Sequence, residues 1–202
     1  MELLEIKELR GGYLPDLNIL NGVDLSVGAG ETVGVIGLNG CGKSTLTKAI
    51  MNMIPYRSGT VYFSGMNISP LPLMKISRLG ISLMQQGGVV FSNLSVADNI
   101  EIALSGHDKA MYPLLKEMIP LLSLPDKELT KLMADKLSGG QRHQLALAMA
   151  LASRPKLVIL DEPSAGLSPK AVTEIYQLLE RIRREMNVSA LIVEQNIDKA
   201  IE

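Results

Sequence analysis

The chain has 202 residues, 47% of them hydrophobic, with 20 Lys and Arg against 21 Asp and Glu and a formal net charge of −1. That length suits one domain able to bury roughly 70% of the surface its unfolded form exposes, and the near-neutral balance gives no electrostatic ground for a nucleic-acid partner, which shows as a basic face. A lone cysteine, Cys41, excludes an internal disulfide; Met1-Glu-Leu-Leu-Glu-Ile-Lys lacks the basic-then-apolar order of a signal peptide; and no apolar run approaches the about 18 residues that a membrane span needs.

Residues 4–9 and Val23-Asp-Leu-Ser-Val27 alternate apolar and polar, the pattern of half-buried antiparallel strands, with Asn21-Gly22 and Gly28-Ala-Gly30 as punctuation. Gly11-Gly12-Tyr13 reads as a polar loop whose ring can stack on a base, though a plain surface tyrosine fits the local sequence too. Glu31-Thr-Val-Gly-Val-Ile36 reads as a short buried strand and Leu46–Met53 as a helix ended by Pro55. Between them, Gly37-Leu38-Asn39-Gly40-Cys41-Gly42-Lys43-Ser44-Thr45 fits G-x-x-x-x-G-K-[ST]. Its glycines let successive N–H groups curl inward into a cradle for polyanions, and Lys43 adds a mobile positive charge. Ser44 opens the helix, whose N-terminus faces the phosphates, with its hydroxyl placed to ligate Mg²⁺. Cys41 sits in the cradle as a small residue, or as a thiol beside the nucleotide.

Gly59-Thr-Val-Tyr-Phe-Ser-Gly65 is a further strand, Pro72–Leu79 a short helix, and Gly80-Ile-Ser-Leu-Met84 a buried strand leading into Gln85 and Gln86. From there the pattern turns helical: Ser95 with Asp98 marks a helix start, Pro113–Ile119 is a second helix, and Leu129, Leu132, Met133 and Leu137 continue at helical spacing. Leu137-Ser-Gly-Gly-Gln141 leads into the apolar Leu145–Ala152, a buried helix with Ser138 as N-cap. Bare N–H groups at this helix start make either a second phosphate site or a plain capping turn. Lys156-Leu-Val-Ile-Leu160 reads as a central strand buried on both faces and ends in Asp161-Glu162, where open parallel sheets bind ligands. One carboxylate there can hold Mg²⁺ while the other accepts a proton from attacking water, since adjacent strand residues face opposite ways. Ser168-Pro169 starts a helix with an apolar stripe from Val172 through Ile182 to Met186 and a solvated face at Arg181, Arg183 and Arg184. A last strand, Ala190–Val193, ends at Glu194-Gln195-Asn196.

Assembled, these motifs resemble the nucleotide-binding subunit of an ATP-binding cassette (ABC) transporter over essentially the whole chain, with Leu137-Ser-Gly-Gly-Gln141 the diagnostic element. Val90-Phe, Asp161-Glu-Pro-Ser-Ala-Gly-Leu-Ser-Pro169 and Val193-Glu-Gln-Asn196 are similar to the ATPase subunits of branched-chain amino-acid importers. The resemblance implies a single α/β domain with the P-loop NTPase fold. Residues 1–87 and 137–202 would form the ATPase core with its antiparallel β subdomain, and 88–136 a helical subdomain. It implies that Tyr13 stacks on adenine, that Gly37, Asn39, Gly40, Cys41, Gly42, Lys43, Ser44 and Thr45 hold the phosphates, and that Gln86 touches Mg²⁺ and the attacking water. Asp161 would position Mg²⁺ with Ser44, and Glu162 would be the general base. Ser138, Gly139 and Gly140 would complete the site of a second ATPase subunit, two chains enclosing two ATP molecules head to tail. Further implied partners are membrane permease subunits, touched through the 88–136 segment and the Gln86 loop, and indirectly a solute-binding protein. The place of work would be the cytoplasmic face of the membrane. Where most of the family has histidine this chain has Gln195, which hydrogen-bonds a γ-phosphate without carrying a proton at neutral pH. Family members usually continue beyond the equivalent of Glu202, so a truncated chain is expected. Two other readings are an ABC ATPase outside transport and a nucleotide-binding subunit with little hydrolysis.

Overall fold

The computed structural model describes residues 2–104 and 131–195, apart from the side chains of Ile182 and Arg183. Four strands, β1 (Glu2–Gly12), β2 (Leu20–Gly28), β4 (Tyr56–Phe63) and β5 (Met66–Asn67), make an antiparallel sheet in the order β2-β1-β4-β5. The others, β3 (Thr32–Ile36), β6 (Ile81–Met84), β7 (Leu157–Asp161) and β8 (Ser189–Glu194), make a parallel sheet in the order β3-β8-β7-β6. Helices α1 (Lys43–Ile50), α2 (Leu73–Arg78), α3 (Val96–Leu104), α4 (Gly139–Leu151) and α5 (Pro169–Met186) complete the described secondary structure with a 3₁₀ turn at Ala134–Lys136.

The parallel sheet divides two apolar cores, as the unbroken Leu157-Val-Ile-Leu160 run requires. Leu157 and Ile159 face one core with Ile81, Leu191 and the Leu46, Ala49 and Ile50 side of α1. Val158 and Leu160 face the other with Ala190 and the Leu145, Leu147, Ala148 and Leu151 side of α4. Burying each of these leucines and isoleucines contributes about 1.5–3 kcal/mol. Register then aligns the carboxyl ends of three strands: Ile36 lies opposite Glu194 and Val193 opposite Asp161. That edge is where a parallel sheet offers its ligand crevice.

Several local expectations are corrected. Gly11 and Gly12 belong to β1 and are buried rather than lying in a polar loop; a Cβ on Gly11 would run into the Tyr56 carbonyl, and one on Gly12 into that of Leu17. β3 is covered on one face only, with Thr32, Gly34 and Ile36 exposed, because it is the edge strand of the described sheet. α1 begins at Lys43 and ends at Ile50, three residues short of Met53. The strand expected at 59–65 runs from Tyr56 to Phe63, and Gly59 (φ +88°) sits inside it where the β1–β4 register slips between Lys7 and Arg10. Leu132 and Met133 are not helical: Met133 makes an isolated bridge to Ser95, and only Ala134–Lys136 turns before Leu137 packs into the α4 core. Pro113–Ile119 and Leu129 lie outside the described residues. Among those described, no helix is long and apolar enough to cross a membrane.

Candidate active site

The Gly37–Thr45 loop runs from the end of β3 into α1. Its entry is tied to the neighbouring strand, the Gly37 N–H donating to the Glu194 carbonyl at 3.2 Å. Gly42 (φ 102°) is the α1 N-cap, a left-handed position that favours glycine, and makes no side-chain cap. No acidic residue stands in the first turn of α1, so the positive end of the helix dipole is left to an outside anion. A Cβ at Gly37 would fall 2.7 Å from Cys41 Sγ, so a larger residue there would turn the exposed thiol aside. Asn39, Gly40 and Cys41 are exposed and Thr45 is buried.

Lys43 is buried, and its ammonium is shared among three oxygens: the carbonyls of Gly37 at 2.9 Å and Leu38 at 3.1 Å, and Glu162 Oε1 at 3.2 Å. The other Glu162 oxygen accepts from Gln86 Nε2 at 2.6 Å. Glu162 stands one residue past the end of β7 with φ 49°, a left-handed conformation costing a non-glycine residue about 1–2 kcal/mol. Its N–H nonetheless donates to the Val193 carbonyl at 2.8 Å, which holds the strained turn to β8. The turn, rather than continued strand alternation, sends Glu162 and Asp161 different ways.

Asp161 accepts from Ser44 Oγ at 3.0 Å and from Thr47 Oγ1 at 3.4 Å. Burial pushes its carboxyl pKa up, an effect partly countered by the Ser44 hydrogen bond. The Ser44 hydroxyl and the Asp161 carboxylate form an oxygen pair suited to a small hard cation that takes its other ligands from phosphate and water. No cluster of three or more His, Cys, Asp or Glu side chains that could hold a metal alone occurs among the described residues.

The remaining expected residues lie around this centre. Tyr13 follows β1 and is 43% exposed. Its loop returns through Ile19, whose N–H donates to the Gly11 carbonyl at 2.8 Å and whose side chain lies against Gly42, so the ring stands on a segment bordering the cradle. The Gln195 side chain is exposed at the end of β8, and its N–H donates to Glu194 Oε2 at 3.2 Å. Ser138 caps α4 in a reciprocal box: Ser138 Oγ accepts from the Gln141 N–H at 3.3 Å, and Gln141 Oε1 from the Ser138 N–H at 2.9 Å. Because α4 and α1 pack on opposite faces of the sheet, Ser138–Gly140 are not brought onto their own phosphate loop.

Two residues of the site went unassigned in the sequence. Thr47 is three positions after Ser44 on the same face of α1, a spacing that points it to the same carboxylate. Glu194 ends β8 beside Asp161 and Gly37, a placement that needs the sheet order to be seen.

A phosphate cradle opening a helix, with carboxylates at the end of the adjoining strands, defines a P-loop nucleotide-hydrolysing domain. The ABC transporter family profile matches residues 20–165, and the chain belongs to that family as an ABC ATPase subunit. It is 37% identical over 203 residues to the probable branched-chain amino acid transport ATP-binding protein LivF of Archaeoglobus fulgidus, covering 99% of this chain and 84% of that protein. It is 32% identical to the lipopolysaccharide export system ATP-binding protein LptB of Escherichia coli, covering 100% and 83%. Among solved structures it resembles the dimeric ATP-binding cassette MJ0796 in a post-hydrolysis state bound to ADP and Pi, with a TM-score of 0.83 and 26% identity over 98% of this chain and 90% of that one. The fold is the ABC-type α/β ATPase core, and the chain is an ATPase.

Proposed function

We propose that this subunit hydrolyses ATP with Glu162 as general base, in a site closed by a second ATPase subunit, and drives solute import through a separate membrane permease. The observation that carries the reading is the convergence of Lys43, Glu162 and Gln86 in one hydrogen-bonded set beside the Ser44–Asp161 pair. Residues 37–45 receive the phosphates through backbone N–H groups and Lys43, and Tyr13 stacks on the adenine. Ser44 and Asp161, with Gln86 at the edge, would hold Mg²⁺, which would supply positive charge against the phosphates. Glu162 takes the proton of the attacking water, and Gln195 hydrogen-bonds the γ-phosphate.

The head-to-tail arrangement is supported by Gly139. A Cβ there would meet nothing within 4 Å in its own chain, so the start of α4 is open to whatever approaches it from outside. The Gln85 side of the molecule carries an apolar groove of about 410 Å³ lined by Met51, Met53, Leu73, Val89, Phe91 and Met149, which suits a permease segment at the cytoplasmic face of the membrane. Branched-chain amino acids are the proposed solutes, on the likeness to LivF and the sequence Glu194-Gln195-Asn196.

Light scattering tests the composite site. With ATP, Glu162→Gln should form a dimer that Ser138→Arg in the same chain abolishes; dimers indifferent to Ser138→Arg would overturn the arrangement.

A further inference from the structure

Glu194 is 3% exposed, yet among the described residues its carboxylate is met by neutral donors and no cation. Oε1 accepts from the Ser164 N–H at 3.1 Å and from the Tyr176 hydroxyl at 3.0 Å, while Oε2 accepts from the Gln195 N–H at 3.2 Å. Its own backbone carbonyl accepts from Gly37 at the entry to the phosphate loop. One residue therefore joins four segments: the cradle, the loop that carries Glu162, helix α5 and Gln195. Burial, reinforced by the neighbouring Glu194 carboxylate, pushes the Tyr176 phenol well above its ordinary range, so it stays a donor.

The carboxylate stabilises the fold, since an apolar residue would leave the Ser164 N–H and the Tyr176 hydroxyl without an acceptor, and it does more than that. What the carboxylate adds is direction. Ser164 is two residues beyond Glu162, and the strained turn between them is fastened at one end by the Glu162 N–H on Val193 and at the other by the Ser164 N–H on Glu194. When phosphate draws Lys43 away from Glu162, these two bonds to β8 remain, with the Gln86 amide on the carboxylate and the Ala165 N–H on the Glu162 carbonyl, to hold the base over the cradle.

We propose that Glu194 is a positioning residue for ATP hydrolysis, setting Glu162 and Gln195 against the phosphate loop through its bonds to Ser164, Tyr176 and Gln195. The proposal rests on the reading of Glu162 as the base.

The test is steady-state ATP hydrolysis by the full chain carrying Glu194→Leu, Glu194→Gln or Tyr176→Phe, with Glu162→Gln in parallel. Glutamine keeps an acceptor for Ser164 and Tyr176, whereas leucine keeps none. Small displacements of a reacting group cost up to about 10²-fold in rate. Glu194→Leu should therefore lower kcat about 10-fold or more while KM for ATP stays within about 3-fold, and Glu194→Gln should restore most of the loss. Should Glu194→Leu not fold, Tyr176→Phe carries the test, with kcat expected to fall about 3-fold at unchanged KM. Wild-type kcat in the folded Leu variant, or kcat and KM worsening together without recovery in Gln, would overturn the proposal; so would wild-type kcat in Tyr176→Phe where Leu does not fold. Full turnover by Glu162→Gln would instead overturn the base assignment.

Discussion

Lys43 and Glu162 meet 3.2 Å apart with both side chains nearly buried, so the cation of the glycine-rich loop and the carboxylate that follows β7 neutralise each other across the site. On the proposed function, phosphate binding would be an exchange: the incoming oxygens would take over an ammonium already shared with Glu162 and two loop carbonyls, and release the carboxylate toward water. A buried carboxylate deprived of its cation is costly, typically about 1–3 kcal/mol or more. In urea denaturation without nucleotide, Lys43→Ala should lose stability on that scale, and adding Glu162→Gln should recover part of it, a coupling of about 1 kcal/mol or more. Additive effects of the two substitutions would show that the pair contributes nothing.

Two glycines separate the demands of the chain's own fold from those of a partner. Gly42→Ala puts a side chain at φ +102° and a Cβ 3.0 Å from Ile19 Cγ2, so it should cost about 1–2 kcal/mol and weaken ADP binding. Gly139→Ala meets nothing within 4 Å, so at a helix start it should leave stability unchanged or raise it by up to about 1 kcal/mol. Its ADP affinity should stay unchanged while turnover falls. Thermal melts, ADP titration and hydrolysis on the two variants check the contrast.

Tyr176 supplies a pH dependence. Its folded pKa is raised by burial and by the adjacent Glu194 carboxylate, so the stability it contributes is present below the ordinary tyrosine pKa of about 10 and is lost as pH rises beyond it. The unfolded chain ionises there while the folded one resists. Wild type should therefore exceed Tyr176→Phe by about 1.5–3 kcal/mol at pH near 7.5, the scale of a hydrogen bond to a charged acceptor. The gap should narrow at about pH 10.5–11, where the unfolded tyrosine ionises. Denaturation of both proteins at the two pH values measures it.

Much of the site was legible because its chemistry is local in sequence. The cradle is nine consecutive residues, Asp161-Glu162 end a strand whose apolar run declares itself, and Ser138 stands directly before the helix it caps. Spacing alone did not reveal what depends on sheet order. Glu194 acquires its partners only because β8 lies between β3 and β7, and β3 reads as a buried strand because its apolar composition says nothing of its edge position. Gly11 and Gly12 read as loop residues since glycine marks turns and close backbone approaches alike; here the approach of Tyr56 and Leu17 is the reason. The S-x-x-Q box at Ser138–Gln141 was visible in the sequence, but only its first member was assigned.

The most direct measurement is steady-state hydrolysis of MgATP by wild-type protein and Glu162→Gln, with ATP binding titrated on the same samples. With Glu162 as base and Lys43 freed from its carboxylate, the variant should bind ATP as tightly as wild type or a few-fold tighter, while kcat falls by about 10²-fold or more. A variant that binds ATP normally and turns it over at the wild-type rate would contradict the account.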